Sequence, residues 1–132
     1  FQRAAKNIDN AGAQVLKESA AHMSAAAAKG DRDGWIAHDK IFHETVIRAA
    51  NNEMIADVSR VTRRRIQRIW ARSVSGARDL VTCSDEHTEI AQGIIGKDMT
   101  AIKKSVEGHL GHLRVNMQEI VASMAPFFGD QG

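Results

Sequence analysis

Trp35–Ala50 reads WIAHDKIFHETVIRAA, and the fold follows from that stretch. At about 100° per residue, Trp35, Ile36, Phe42, Val46, Ile47 and Ala50 share one face of a helix. Asp39 and His43 lie in the middle of that same face, one turn apart. An unpartnered carboxylate is among the side chains least often buried, so Asp39 needs a cation. An imidazole one turn away makes a metal ion one candidate. Taken alone, the pair is weak, because Asp-x-x-x-His arises often by chance and a satisfied core histidine is the commoner reading.

The rest of the chain extends this helix into a bundle. One proline, Pro126, in 132 residues, with abundant Ala, Lys, Arg, Glu and Met, argues for helices throughout. No stretch alternates apolar and polar residues long enough to suggest a strand. Punctuation falls at Gly30 with Asp31–Gly34, at Asn51–Asn52, at Ser75–Gly76, at Gly96 and at Gly129. Residues 1–10 then close one helix, and Gln14–Lys29 forms the next, with Gly30 as its C-terminal cap. Gly34–Ala50 is the third, and Glu53–Val74, capped by Asn52, the fourth. A fifth runs from Asp79 or Thr82 to Ile95, and Lys97–Asp98 opens a last helix reaching about Met124. Short loops between such helices describe an all-α antiparallel bundle of about six, a single domain over 1–132.

Composition narrows the class. A content of 43% hydrophobic and 26% charged residues suits a soluble globular domain. No apolar run could span a bilayer, and no signal peptide opens the chain. A net charge of +2 is too slight to imply nucleic-acid binding by this segment. One cysteine, Cys83, excludes an internal disulfide, fits the cytoplasm, and reads as a small buried hydrophobe. The abrupt start at Phe1 in helix-like sequence is expected of a fragment lacking an N-terminal part.

Other helices also aim polar groups inward. In the fifth, Ile90, Ala91, Ile94 and Ile95 define the apolar face, with His87 at its centre. In the last, Ile102, Val106, Leu110, Leu113, Met117, Ile120 and Met124 define it, with His109 on the stripe. One Asp and three His from three helices would each need a buried partner, whereas one divalent ion satisfies all four. Nitrogen and carboxylate ligands suit zinc first, then nickel, iron or manganese. His112 lies about 60° off the stripe and ranks behind His109. His22 and His38 point elsewhere.

The long fourth helix carries Arg60, Arg63, Arg64, Arg65, Arg68 and Arg72. Its apolar face is set by Met54, Ile55, Val58, Val61, Ile66 and Ile69. Arg60, Arg63 and Arg64 lie off that face and read as solvated. Arg65 and Arg72 sit within it, where a guanidinium calls for an anion such as a small carboxylate. Asn116, two turns beyond His109, is placed to add a hydrogen bond.

Asp39-x-x-Phe42-His43, Ala49-Ala50-Asn51-Asn52, Glu86-His87-x-x-Ile90, Asp98 and His109-Leu110 together resemble the FadR C-terminal domain (FCD) family. That family is the effector-binding domain of a large branch of GntR-type transcription regulators. The pieces arrive in the family's order, with Asp98 and His109 at the expected distances after His87. The resemblance implies a helical bundle in which Asp39, His43, His87 and His109 hold a divalent metal. It also implies a small organic acid as effector, with Arg65 at the place of the family's long-helix arginine. The family's first-helix arginine has only Arg3 as a poor match. DNA binding would belong to a winged-helix domain outside this segment.

The expected function is therefore metal-dependent sensing of a carboxylate by a homodimeric bacterial regulator, not catalysis. Two rivals remain open from the sequence: a metal-dependent hydrolase with water on the metal, against which the one candidate base, Glu86, points about 100° from His87, and a metal-free structural bundle.

Overall fold

The computed structural model describes residues 1–72 and 77–128, and side chains within 1–68 and 80–122. Among the described residues the chain is all-α. Its helices are α1 (Gln2–Asn7), α2 (Asn10–Lys29), α3 (Arg32–Ala49), α4 (Glu53–Arg72), α5 (Ala77–Ile95) and α6 (Met99–Phe128).

Side-chain caps set the boundaries, and they move two starts upstream of the expected ones. Asp9 Oδ1 accepts the Gly12 N–H at 2.7 Å, so α2 begins at Asn10 rather than Gln14. Asp31 Oδ1 does the same for Gly34 at 2.9 Å, and α3 begins at Arg32. Asn52 caps α4 as expected, and Asp98, where the last helix is expected to open, caps α6. Asn52 accepts from Ile55 N–H at 3.0 Å, and Asp98 from Thr100 and Ala101 N–H, both at 3.0 Å. Gly30 ends α2 at φ 66°, a conformation that a β-carbon disfavours. The last helix continues past Pro126 to Phe128; so near a terminus a proline forfeits few helical bonds. Val74, Ser75–Gly76 and Gly129 lie outside the described residues.

The core is built on α2, which packs along α3 and α5, while α6 packs on α5 and α1 lies across α3, α5 and α6. Leu16, Met23, Trp35, Phe42, Ile90, Ile94 and Ile102 are its large buried side chains. Each such burial contributes about 1.5–3 kcal/mol. Gly93 brings α5 close to α6: a β-carbon there would stand 3.0 Å from Ile102 Cγ1 and 3.3 Å from its backbone nitrogen. Trp35 Nε1–H donates to Ser84 Oγ at 2.8 Å, and Ser84 in turn donates to the Leu80 carbonyl at 2.7 Å. That chain of bonds pins α3 to α5 beside the site.

One helix departs from expectation. The apolar stripe of α4 was expected to face the core, yet Met54, Ile55, Val58 and Val61 are exposed. The face turned toward α3 instead carries Ala56, Arg63 and Gln67. Ile95 and Leu110 are likewise exposed rather than buried. Periodicity finds an apolar stripe without saying what covers it.

Candidate metal centre

Three helices deliver the centre. Asp39 and His43 come from α3, His87 from α5 and His109 from α6; the first three are buried and His109 is partly so. His43 Nε2 lies 2.9 Å from His87 Nε2. Asp39 Oδ1 lies 3.4 Å from His43 Nε2 and 3.2 Å from His87 Nε2. Ligands at about 2.0–2.2 Å from one ion are separated by roughly 3.0 Å in an octahedron and 3.4 Å in a tetrahedron. The three separations fall on those polyhedron edges. His109 joins the group more loosely, the nitrogens of the three imidazoles lying within 4.8 Å of one another. Oxygen and nitrogen donors in this arrangement suit a divalent transition metal.

Hydrogen bonds fix two of the rings. His87 Nδ1 faces the Cys83 carbonyl at 2.6 Å, and a carbonyl only accepts, so Nδ1 carries the proton and Nε2 the lone pair. His109 Nδ1 faces Glu86 Oε2 at 2.7 Å, which leaves its Nε2 free to ligate in the same way. Glu86 also accepts from His112 Nδ1 through Oε1. On its own helix Glu86 points about 100° from His87, which counts against it as a base beside the cluster and gives no hint of these partners. Its partners lie on α6, and that is a tertiary fact. His112 is exposed, in keeping with its lower rank.

An aromatic frame surrounds the rings. Phe42 meets His43 and His87 edge to face at 5.4 and 5.0 Å, and Trp35 meets His87 at 5.8 Å. Burial pushes the His43 imidazole down to about 3, against the pull of Asp39, so it stays neutral and able to ligate. His109 is lowered for the same reason, with His87 adding to burial and Glu86 opposing it. Burial raises the Asp39 carboxyl, but His43, His87 and Arg63 together hold it well below the usual carboxylate range.

Arg63 occupies the place that sequence reading gave to Arg65. Its Nη2 donates to Asp39 Oδ2 at 2.5 Å, joined there by Gln67 Nε2 at 3.1 Å. Arg65 is exposed, and the Arg72 side chain lies outside the described residues. Arg60, read as solvated, forms a two-pronged pair with Glu44 at 2.6 and 3.2 Å. Arg3 donates to the Ala50 carbonyl at 3.0 Å, closing the end of α3. His22 and His38, set aside from the sequence, stack on each other at 4.5 Å.

A cavity of about 70 Å³ adjoins the cluster, walled by Asp39, Arg63, Gln67, His87, His109 and Asn116 with Trp35, Ile66, Cys83 and Leu113. Asn116 lies on that wall with Arg63 and Gln67. Cys83, read as a plain buried hydrophobe, is half-buried on that wall.

Comparison with known families gives a match to the FCD domain over residues 1–112. The chain belongs to the FCD family. It is thereby related to the effector-binding domains of GntR-type transcription regulators. No curated protein and no solved structure matches the chain. The FCD match covers α1 to α5 and the part of α6 that bears His109 and His112. No helix among the described residues is long and apolar enough to cross a membrane.

Proposed function

We propose that this FCD domain is the carboxylate-sensing and dimerising part of a cytoplasmic bacterial regulator. A divalent metal, zinc first among the candidates, would be held by Asp39, His43, His87 and His109. The observation that carries this reading is the convergence of Asp39 Oδ1, His43 Nε2 and His87 Nε2 at 2.9–3.4 Å, with a third imidazole beside them. The ion would supply a positive charge able to coordinate a carboxylate oxygen. Arg63, bonded to Asp39, would share that anion in preference to the exposed Arg65. A guanidinium has five N–H donors, so it can hold Asp39 and an acid at once. Gln67 and Asn116 offer the neutral hydrogen bonds.

The mechanism follows from which helices meet there. An acid bridging the metal and Arg63 would tie α4 to α3, α5 and α6. The α4 helix is loosely joined to the rest, touching chiefly α3. Its exposed stripe of Met54, Ile55, Val58 and Val61 is an apolar surface of the kind a second copy would cover. Shifting α4 would thus change the dimer, and with it the spacing of the winged-helix domains that read DNA. A hydrolase fits less well, because Glu86, its candidate base, is held between two imidazoles.

Elemental analysis of protein purified without a histidine tag should give about one transition-metal ion per chain. His87→Ala should abolish that stoichiometry while leaving most of the helical circular dichroism; unchanged metal content would refute the ligand set. In the full-length regulator, operator affinity should differ between acid-free and acid-saturated protein. Equal affinity would reject the sensing mechanism, since a ligand indifferent to two states shifts neither.

A further inference from the structure

We infer that two copies of this chain pair through the outward face of α4, antiparallel and centred at Val61, with Arg64 of each opposite Asp57 of the other. The inference rests on the dimerising reading above and gives that dimer a surface and a direction. One face of α4 serves its own chain: Ala56 is buried, and Arg63 and Gln67 donate to Asp39. Arg63 lies about 160° round the helix from Val61. The opposite, outward face carries Met54, Val58 and Val61, which are 78%, 63% and 42% exposed. Asp57 shares that face, its side chain 82% exposed, and so do the exposed Arg64, Arg65 and Arg68. These side chains all fall within about 60° of Val61. Ile55 lies about 120° round, on the wall of a separate cleft with Val46 and Leu110.

The order of these residues decides the direction. The first half of the face is apolar with Asp57 beside it and the exposed Glu53 at its edge; the second half is basic. Parallel pairing would set each arginine against its own twin, and like charges face to face are costly. Antiparallel pairing turns one half onto the other. A two-fold axis beside Val61 brings the two Val61 side chains together and sets position 64 level with 57, and 68 level with 53. Asp57, Arg64 and Arg68 lie on the same side of Val61, and such an axis keeps them on one side of the contact. Each copy thus offers Arg64 to Asp57 of the other and Arg68 to Glu53. Arg65 falls on the opposite side, where its carbon stem lies over Met54 and Val58. Within its own helix Asp57 makes only a 4.0 Å approach to Arg60, whose guanidinium holds Glu44 at 2.6 Å. With the cluster on one face of α4 and the second copy on the other, a movement of Arg63 at Asp39 reaches the partner through one rigid element.

Disulfide trapping with diamide, read beside sedimentation velocity, tests the pairing. Helix axes about 8–10 Å apart put the two Val61 α-carbons about 4–6 Å apart, within reach of a disulfide. The two Met54 positions stand about 20 Å apart along the helices. Val61→Cys should therefore give a covalent dimer and Met54→Cys should not; the unchanged chain, whose one cysteine is the half-buried Cys83, is the control. Crosslinking of both variants would mean parallel pairing and would overturn the inference. A dimer in which Val61→Cys stays uncrosslinked would overturn it and leave dimerisation on another surface. A monomer throughout would overturn both and leave the face to a different partner. Asp57→Arg alone should raise the dimer dissociation constant at least tenfold, and adding Arg64→Asp should restore it to within about threefold. No recovery in the double variant would contradict the pairing of Arg64 with Asp57.

Discussion

Glu86→Gln isolates the one contact that the structure adds to the ligand set. Glu86 is a carboxylate with two acceptor oxygens, one serving His109 Nδ1 at 2.7 Å and the other serving His112 Nδ1. An amide of the same shape has one oxygen and one NH₂ group. One imidazole must then face a donor, which either breaks the bond or forces the proton onto Nε2. For His109 that second outcome removes the lone pair that would ligate. The contact is well shielded, the Glu86 and His109 side chains being 12% and 13% exposed. Loss of such a supporting carboxylate typically weakens metal binding 10–100-fold, or about 1.4–2.7 kcal/mol. Competition titration with cobalt, followed by its visible ligand-field bands, measures the affinity and the coordination together. Nitrogen-15 shifts of the His109 ring read the tautomer without metal. His112→Ala, which removes the exposed partner, should change cobalt affinity less than about threefold. Wild-type affinity and an unaltered His109 tautomer in Glu86→Gln would refute the reasoning.

Arg63→Ala should weaken carboxylate binding to the zinc-loaded protein by about tenfold or more, with zinc affinity reduced much less. Arg65→Ala should leave both within about twofold, and the reverse ranking by calorimetry would restore Arg65 to the site. Phe42→Ala removes a fully buried ring that packs on His43 and His87, and should cost about 3–5 kcal/mol in urea unfolding. A loss under about 1 kcal/mol would mean that the Phe42 ring is not buried in the core. The metal-free protein should lose stability as pH falls. His43 is held at about 3 when folded against an ordinary 6.5, so between those values the unfolded chain binds the extra proton. Stability is then full above pH 6.5 and declines below it, with His109 acting in the same direction. The melting temperature in chelator should drop by roughly 5 °C or more from pH 7 to pH 4.5. A flat or rising profile would contradict a neutral, buried His43.

Helix identity, the order of the elements and the inward direction of Asp39, His43, His87 and His109 were legible in the sequence by itself. Each depends on periodicity within one helix: α3 and α5 bury most of their apolar face around those residues, and α6 buries Ile102 and half-buries Val106, Leu113 and Met117. The cap at Asn52 and the helix start at Asp98 were equally local, since a side chain and an N–H two or three residues on are fixed by the turn itself. Only the tertiary structure decided which arginine meets Asp39, because that depends on how α4 is rotated about its axis. A helical wheel assigns the apolar stripe to the core of its own chain, and on α4 Met54, Ile55, Val58 and Val61 of that stripe face outward. Arg63 and Arg65 are about 200° apart on that wheel, so the rotation exchanges one for the other. The same limit hid Glu86. Its value comes from two imidazoles on a neighbouring helix, and no spacing within α5 encodes the distance across to α6.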